Sequence, residues 1–358
     1  MQRRPIVVKV GSSTLVDARG RLRRARLDGI AGDIAAAWDS GARVCVVSSG
    51  AIALGLGSLG RSTRPGRVAE LQAAAAFGQG ILQRAWQRAL ERHGARAAQV
   101  LLTAAEVRHR TSYVNARATL DTLLNWSLTP VVNENDSTAT DEITFGDNDA
   151  LAAQVAVLLD ARLLVLLTDQ DGLYTRDPRA PGAELVAEVA DHAFLRELEV
   201  GGSGSGWGSG GMRSKVVAAE MASAGGVATV IANGGTAGVV AAAIAGEAVG
   251  TRFRADPRAV PAYKLWLRYG RPAAGTIDVD AGARRALERD GGSLLPVGIT
   301  GVHGRFQPGD AVDLSGPDGA RFAKGLAERS AHDLRALIGQ RGAEVAIHRD
   351  QLVVFDRM

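Results

Sequence analysis

The segment Ile6-Val-Val-Lys-Val-Gly-Ser-Ser13 decides how the whole chain is read. Four apolar residues enclose one lysine, and the run stops on a glycine and two serines. An apolar run of this length, ended by turn residues, reads as a strand buried on both faces. The pattern recurs outward from there. Residues 44–47 form a second apolar run and stop at Ser48-Ser-Gly50. Residues 99–102, 130–132, 163–167 and 227–231 give further strands; the run at 130–132 leads into Asn133-Glu-Asn-Asp136 and that at 163–167 into Thr168-Asp169. Helical spacing fills the intervals at 27–38, 68–92, 113–126, 148–159 and 212–224. Strands alternating with helices predict an α/β domain, an open and mostly parallel sheet sandwiched by helices. The polar strand endings then share one rim, outside the carboxyl ends of the strands, where ligands bind in such sheets.

A change of composition follows residue 250. Residues 252–272 are dense in Arg and Pro and include Trp266. We read residues 1–250 as the α/β domain, 251–273 as a linker and 274–358 as a small β-rich domain, with strand-like pieces at 276–279, 294–297, 311–314 and 345–347. The length of 358 residues suits two domains, and 46% apolar with 22% charged residues is ordinary for a globular chain. The net charge of +4 favours anionic partners. Residues 272–358 hold 11 Lys and Arg against 12 Asp and Glu, and aromatics make up 4% of the chain. That is poor equipment for gripping a nucleic-acid backbone or stacking bases. Cys45 is alone, so no intrachain disulfide forms. No signal peptide or membrane span is visible, and a cytoplasmic location is expected.

Lysine usage points to chemistry. Among 42 basic residues only Lys9, Lys215, Lys264 and Lys324 are lysines. Lysine is a compact point charge where arginine is a planar fork. Lys9 ends the first strand, and Lys215 follows Gly206-Trp-Gly-Ser-Gly-Gly-Met-Arg-Ser. Backbone N–H groups of such a glycine loop, followed by a helix start, make an anion cradle. Two ammonium groups on opposite sides of it suit a phosphoryl group in transfer. The Walker A spacing is absent. Gly-x-Gly-x-x-Gly matches at Gly55 and Gly206 lack the strand context of a dinucleotide site, and a glycine-rich chain produces them cheaply. Phe145-Gly-Asp-Asn-Asp149 precedes a helix; one member can cap it, and the rest exceed what a cap needs. An aspartate there could hold the two lysines, and Asn148 could hydrogen-bond an amino acid. The six histidines show no metal-ligand spacing.

These motifs together resemble a known family. Lys9-Val-Gly-Ser-Ser13, Val47-Ser-Ser-Gly-Ala-Ile52, Val132-Asn-Glu-Asn-Asp136, Gly146-Asp-Asn-Asp149, Leu167-Thr-Asp-Gln-Asp-Gly-Leu-Tyr174 and Gly210-Gly-Met-Arg-Ser-Lys215 are similar to the bacterial glutamate 5-kinases, which have the amino acid kinase fold. The tail, through Leu294-Leu-Pro-Val-Gly298 and Gly309-Asp310, resembles a PUA domain, a small barrel. Ser48 stands where Thr is commoner, and Ser209 likewise; both keep a hydroxyl.

The resemblance implies ATP-dependent phosphorylation of the L-glutamate γ-carboxylate, the first step of proline biosynthesis. It implies that Lys9 and Lys215 stabilise the transferring group, Asp149 orients them and Gly11 adds N–H donors. It assigns glutamate to Ser49, Gly50, Asn133, Asp136 and Asn148. It assigns ATP to Lys9, Thr168, Asp169, Ser209, Gly210, Gly211, Met212, Arg213, Ser214 and Lys215. Mg2+ would bridge phosphate oxygens, with no direct protein ligand expected. Proline as feedback inhibitor, hand-off to glutamate-5-semialdehyde dehydrogenase and a homo-oligomer are implied as well. Acetylglutamate kinase, aspartokinase and uridylate kinase share the fold and are the nearest rivals; RNA binding through the tail is the rival of another class.

Overall fold

A computed structural model describes residues 3–61, 63–103, 106, 110–138, 148–190, 195, 211–257, 262–269, 273–342 and 344–355. The chain divides into two compact units, Met1–Ala259 and Val260–Met358. The first runs β1 (Ile6–Val10), α1 (Ser12–Leu15), α2 (Arg24–Asp39), β2 (Val44–Ser48), α3 (Ala51–Ser58), α4 (Val68–Glu91), β3 (Ala97–Leu102), α5 (Arg110–Asn125), β4 (Thr129–Glu134), α6 (Asp149–Leu158), β5 (Leu163–Thr168), β6 (Glu188–Val189), α7 (Gly211–Ala224), β7 (Ala228–Asn233), α8 (Val239–Ala245) and β8 (Thr251–Phe253).

Its strands order as β3-β4-β2-β1-β5-β7-β8-β6. From β3 to β7 every neighbouring pair is parallel; β8 then turns antiparallel to β7. The expected open, mostly parallel sheet is present. The chain leaves β1 toward β2 on one side, and leaves β5 toward β7 on the other. Neighbouring strands whose connections diverge open a crevice at their carboxyl ends, here beside Gly11 and Thr168.

Side chains alternate across the sheet, and this alternation separates core from chemistry. Ile6, Val8 and Val10 point to the face packed by Leu27, Ile34, Leu82 and Trp86 of α2 and α4. Lys9 therefore emerges on the opposite face. Helix α6 packs against β1 and β5 there, and α7 packs against α6 and β5.

The linker reading of residues 251–273 needs correction. Thr251–Phe253 is a strand of the large sheet, and Ala262–Tyr269 is a helix, α9, of the second unit. Thr251 is held by its hydroxyl, which donates to the Val186 carbonyl at 2.6 Å and accepts from the Leu173 amide at 2.8 Å.

The second unit continues with β9 (Gly275–Val279), α10 (Ala281–Arg285), β10 (Ile299–Gly304), β11 (Ala311–Ser315), β12 (Arg321–Leu326), α11 (Ala331–Leu337) and β13 (Leu352–Val354). Its five described strands order as β10-β9-β11-β12-β13 around a core that includes Ile277, Leu314, Phe322 and Ile347. The pieces at 294–297 and 345–347 are not strands of this sheet. Leu294 and Ile347 form a single isolated bridge, and Pro296 opens a 3-10 turn, Pro296–Gly298. Proline has no N–H to give a ladder.

Helices α3 and α4 meet backbone to backbone. A methyl group at Gly55 would overlap the Ala74 carbonyl oxygen, and one at Gly78 would overlap the Ala51 carbonyl oxygen. Gly55, which opens the dinucleotide-like match, thus serves helix packing, while Gly57 meets the Gly20 backbone. Gly78→Ala should lower unfolding free energy by about 1–3 kcal/mol, the usual cost of overpacking, measured by urea denaturation; an unchanged midpoint would contradict this contact.

Candidate active site

Three buried charges converge where α6 and α7 cover β1. Lys9 and Asp149 are 0% exposed, and Lys215 is 6% exposed. The Lys9 Nζ lies 2.6 Å from Asp149 Oδ1, and the Lys215 Nζ lies 3.0 Å from Asp149 Oδ2. Each ammonium takes one oxygen of the same carboxylate. Ser214 Oγ lies 2.8 Å from Oδ2, and Lys215 also donates to the Gly211 carbonyl at 3.1 Å. Two ammonium groups are thus held side by side by one carboxylate, an arrangement suited to stabilising negative charge on an anion.

Local sequence explains each position. Lys9 sits on β1 with the parity that faces α6. Asp149 opens α6, where a carboxylate also meets the positive end of the helix dipole. Lys215 lies one turn into α7, which begins at Gly211. Gly11 follows β1 directly, and a Cβ there would stand 3.4 Å from the Lys9 Nζ.

A second group adjoins the first through the chain itself, because Asn148 precedes Asp149. Asn148 occupies the N-cap position of α6, yet its side chain makes no capping bond. Its amide donates instead to the Ser48 carbonyl at 3.0 Å and to Asn133 Oδ1 at 2.7 Å. Asn133 donates to Gln79 Oε1 at 2.7 Å. The indole of Trp86 donates to Ser48 Oγ at 2.8 Å. Next to it, Ser49 is 5% exposed, and its buried hydroxyl has no hydrogen-bond partner among the described residues. Gly50 holds φ at +111°, a left-handed conformation that favours glycine, and caps α3.

The other described residues among those expected lie on the same rim without joining either cluster. Thr168 ends β5 and its hydroxyl donates to Asp169 Oδ1 at 3.2 Å. Asp136 is half-buried two residues beyond β4; burial pushes its carboxyl up to about 6, against the opposing charge of Arg64. Met212 is half-buried and Arg213 exposed in the first turn of α7. Ser209 and Gly210 lie outside the described residues. Gln79, Trp86 and the Ser48 backbone carbonyl join this hydrogen-bond network and were not expected from sequence. Helix α4 carries four glutamines, so its sequence does not single out Gln79.

Among the described residues, no group of three or more His, Cys, Asp and Glu could hold a metal ion. None of their helices is long and apolar enough to cross a membrane.

Comparison with known proteins adds an independent line. Residues 4–233 match the model of the amino acid kinase family, and residues 275–349 match that of the PUA domain. The chain is 44% identical to a glutamate 5-kinase of Pelobacter propionicus over 98% of this chain and 97% of that one. It is 45% identical to a glutamate 5-kinase of Gloeobacter violaceus over 97% and 98%. A UMP kinase from Bacillus anthracis superposes with a TM-score of 0.50 at 16% identity, covering 72% of this chain and 98% of that one; it speaks to the fold alone. The chain belongs to the glutamate 5-kinase branch of the amino acid kinase family and carries a PUA domain.

Proposed function

We propose that this protein transfers the γ-phosphoryl group of ATP to the side-chain carboxylate of L-glutamate, giving γ-glutamyl phosphate. The observation that carries the reading is the pair of buried ammonium groups sharing Asp149 at the carboxyl rim of a parallel sheet. The near full-length similarity to glutamate 5-kinases supports the acceptor.

The chemistry needs little more than placement and charge. A glutamate side chain has an unperturbed pKa of about 4.3 and is ionised at neutral pH. No general base is required for it to attack phosphorus, in keeping with a described site built without histidine. Attack in line forms the carboxylate–phosphorus bond as the bond to the ADP oxygen breaks. Negative charge spreads over the transferring oxygens, and Lys9 and Lys215 stabilise it while Asp149 keeps both in place. The Gly11 amide adds a donor. Ser49, Gly50, Asn133, Asp136 and Asn148 surround the amino acid, and Thr168, Asp169 and residues 209–215 surround the nucleotide. Mg2+ would accompany the phosphates and reduce their mutual repulsion, held mainly by phosphate oxygens. Proline as an inhibitor, delivery of the labile product to a reductase and self-association remain part of this proposal.

Incubation with ATP, glutamate and hydroxylamine should yield glutamyl hydroxamate, because an acyl phosphate traps the amine. Turnover with UMP, aspartate or N-acetylglutamate in place of glutamate would refute the assignment. Lys9→Ala and Lys215→Ala should each lower kcat by roughly two orders of magnitude or more with smaller changes in KM, since the charge they meet develops during transfer. Even Lys→Arg should impair turnover, because a planar fork does not fit a site cut for a point charge.

The pH profile follows from Asp136. Burial favours its neutral form, so it keeps its proton up to about pH 6. Binding an α-ammonium needs the carboxylate, so kcat/KM for glutamate should be flat above about 6 and fall with unit slope below it. Asp136→Asn should remove that step. A wild-type profile flat down to pH 5 would show that Asp136 does not bind the ammonium.

A further inference from the structure

We propose that Gln79 is a positioning residue for the amino acid acceptor, acting through Asn133 and Asn148. This inference rests on the glutamate kinase reading and assigns a part of its site that the motifs do not contain.

The argument begins at the Ser48 carbonyl, which can only accept. The Asn148 side chain must therefore present its NH2 group to it. The second hydrogen of that group goes to Asn133 at 2.7 Å, so Asn133 must answer with its oxygen. The NH2 group of Asn133 then faces α4, where Gln79 Oε1 accepts it at 2.7 Å. Donation runs outward from Asn148, directly to the Ser48 carbonyl of β2 and through Asn133 to Gln79 of α4. With both hydrogens spent, Asn148 has only its Oδ1 to offer a ligand. An acceptor suits a donor-rich group such as a free α-ammonium, and suits an N-acylated amine less well.

Gln79 closes this chain at its far end. Asn133 is 3% exposed, and a buried amide that loses its acceptor is driven to find another. Such a search would turn Asn133 and release Asn148. Depth is set by the neighbouring residue: Gly78 lies against the Ala51 carbonyl, so α4 approaches closely enough for Gln79 to reach Asn133.

The test compares two variants in the full-length protein. Gln79→Met keeps the shape and removes the acceptor; Gln79→Glu keeps an acceptor. Gln79→Met should raise the KM for glutamate about five- to tenfold, the worth of one buried hydrogen bond, with the KM for ATP unchanged. Gln79→Glu should hold the glutamate KM within about twofold of wild type. Equal behaviour of the two variants would overturn the proposal. So would a parallel rise in the KM for ATP with a fall in thermal midpoint, which marks a packing defect of α4. Wild-type protein inactive on glutamate would refute the functional reading; active wild type with an unaltered Gln79→Met would refute the positioning role alone.

Discussion

A single carboxylate shared between two buried ammonium groups sets the terms for the rest of this site. Asp149 is fully buried, as is Lys9, and neither would be stable in that place without the other. The requirement reaches outward. Lys9 must stand on the helix-covered face of β1, α6 must begin where β1 ends, and α7 must bring Lys215 to the second oxygen. Parallel strands meet this demand naturally, since all their carboxyl ends open on one rim. Two ammonium groups held this close together suit an anion such as a phosphoryl group.

Much of the fold could be read from residues because the signals were redundant. Apolar runs such as 6–10 and 163–167 are buried on both faces and need no partner to be recognised. The site lysines were legible for a different reason, the scarcity of lysine in an arginine-rich chain. That signal was incomplete. Lys324, which no glycine loop precedes, also has a specific place: it lies 3.7 Å from Asp313 and donates to the Arg268 carbonyl near the end of α9. Burial lowers its pKa against the pull of Asp313. Lys264 is exposed, so scarcity marked ion pairing below the surface in three of the four lysines and not catalysis as such.

The second unit was harder to read. Strands β10 and β12 carry Gly, His, Lys and Arg among their apolar residues, so period-two alternation is broken, and β13 is only three residues long. Apolar pieces at 294–297 and 345–347 looked as strand-like as 276–279 and 311–314, yet the first contains a proline and exposes Leu295 and Val297, and what the two pieces give the core is Leu294, Ala346 and Ile347. Gln79 escaped notice because its role depends on a carbonyl and two amides distant in sequence. No local pattern encodes a hydrogen bond between residues 79 and 133.

The glycine contact between α3 and α4 has a consequence for how the acceptor pocket can change. Two helices touching through bare backbone have no side chain left to shorten, so they cannot be brought closer, and any lengthening pushes them apart. The helix that carries Gln79 is consequently fixed in height above the sheet, like a stop on a ruler. A descendant of this protein recruited for a bulkier acid would have to gain its space from the loops at the rim, because the wall behind the asparagines has no slack to give.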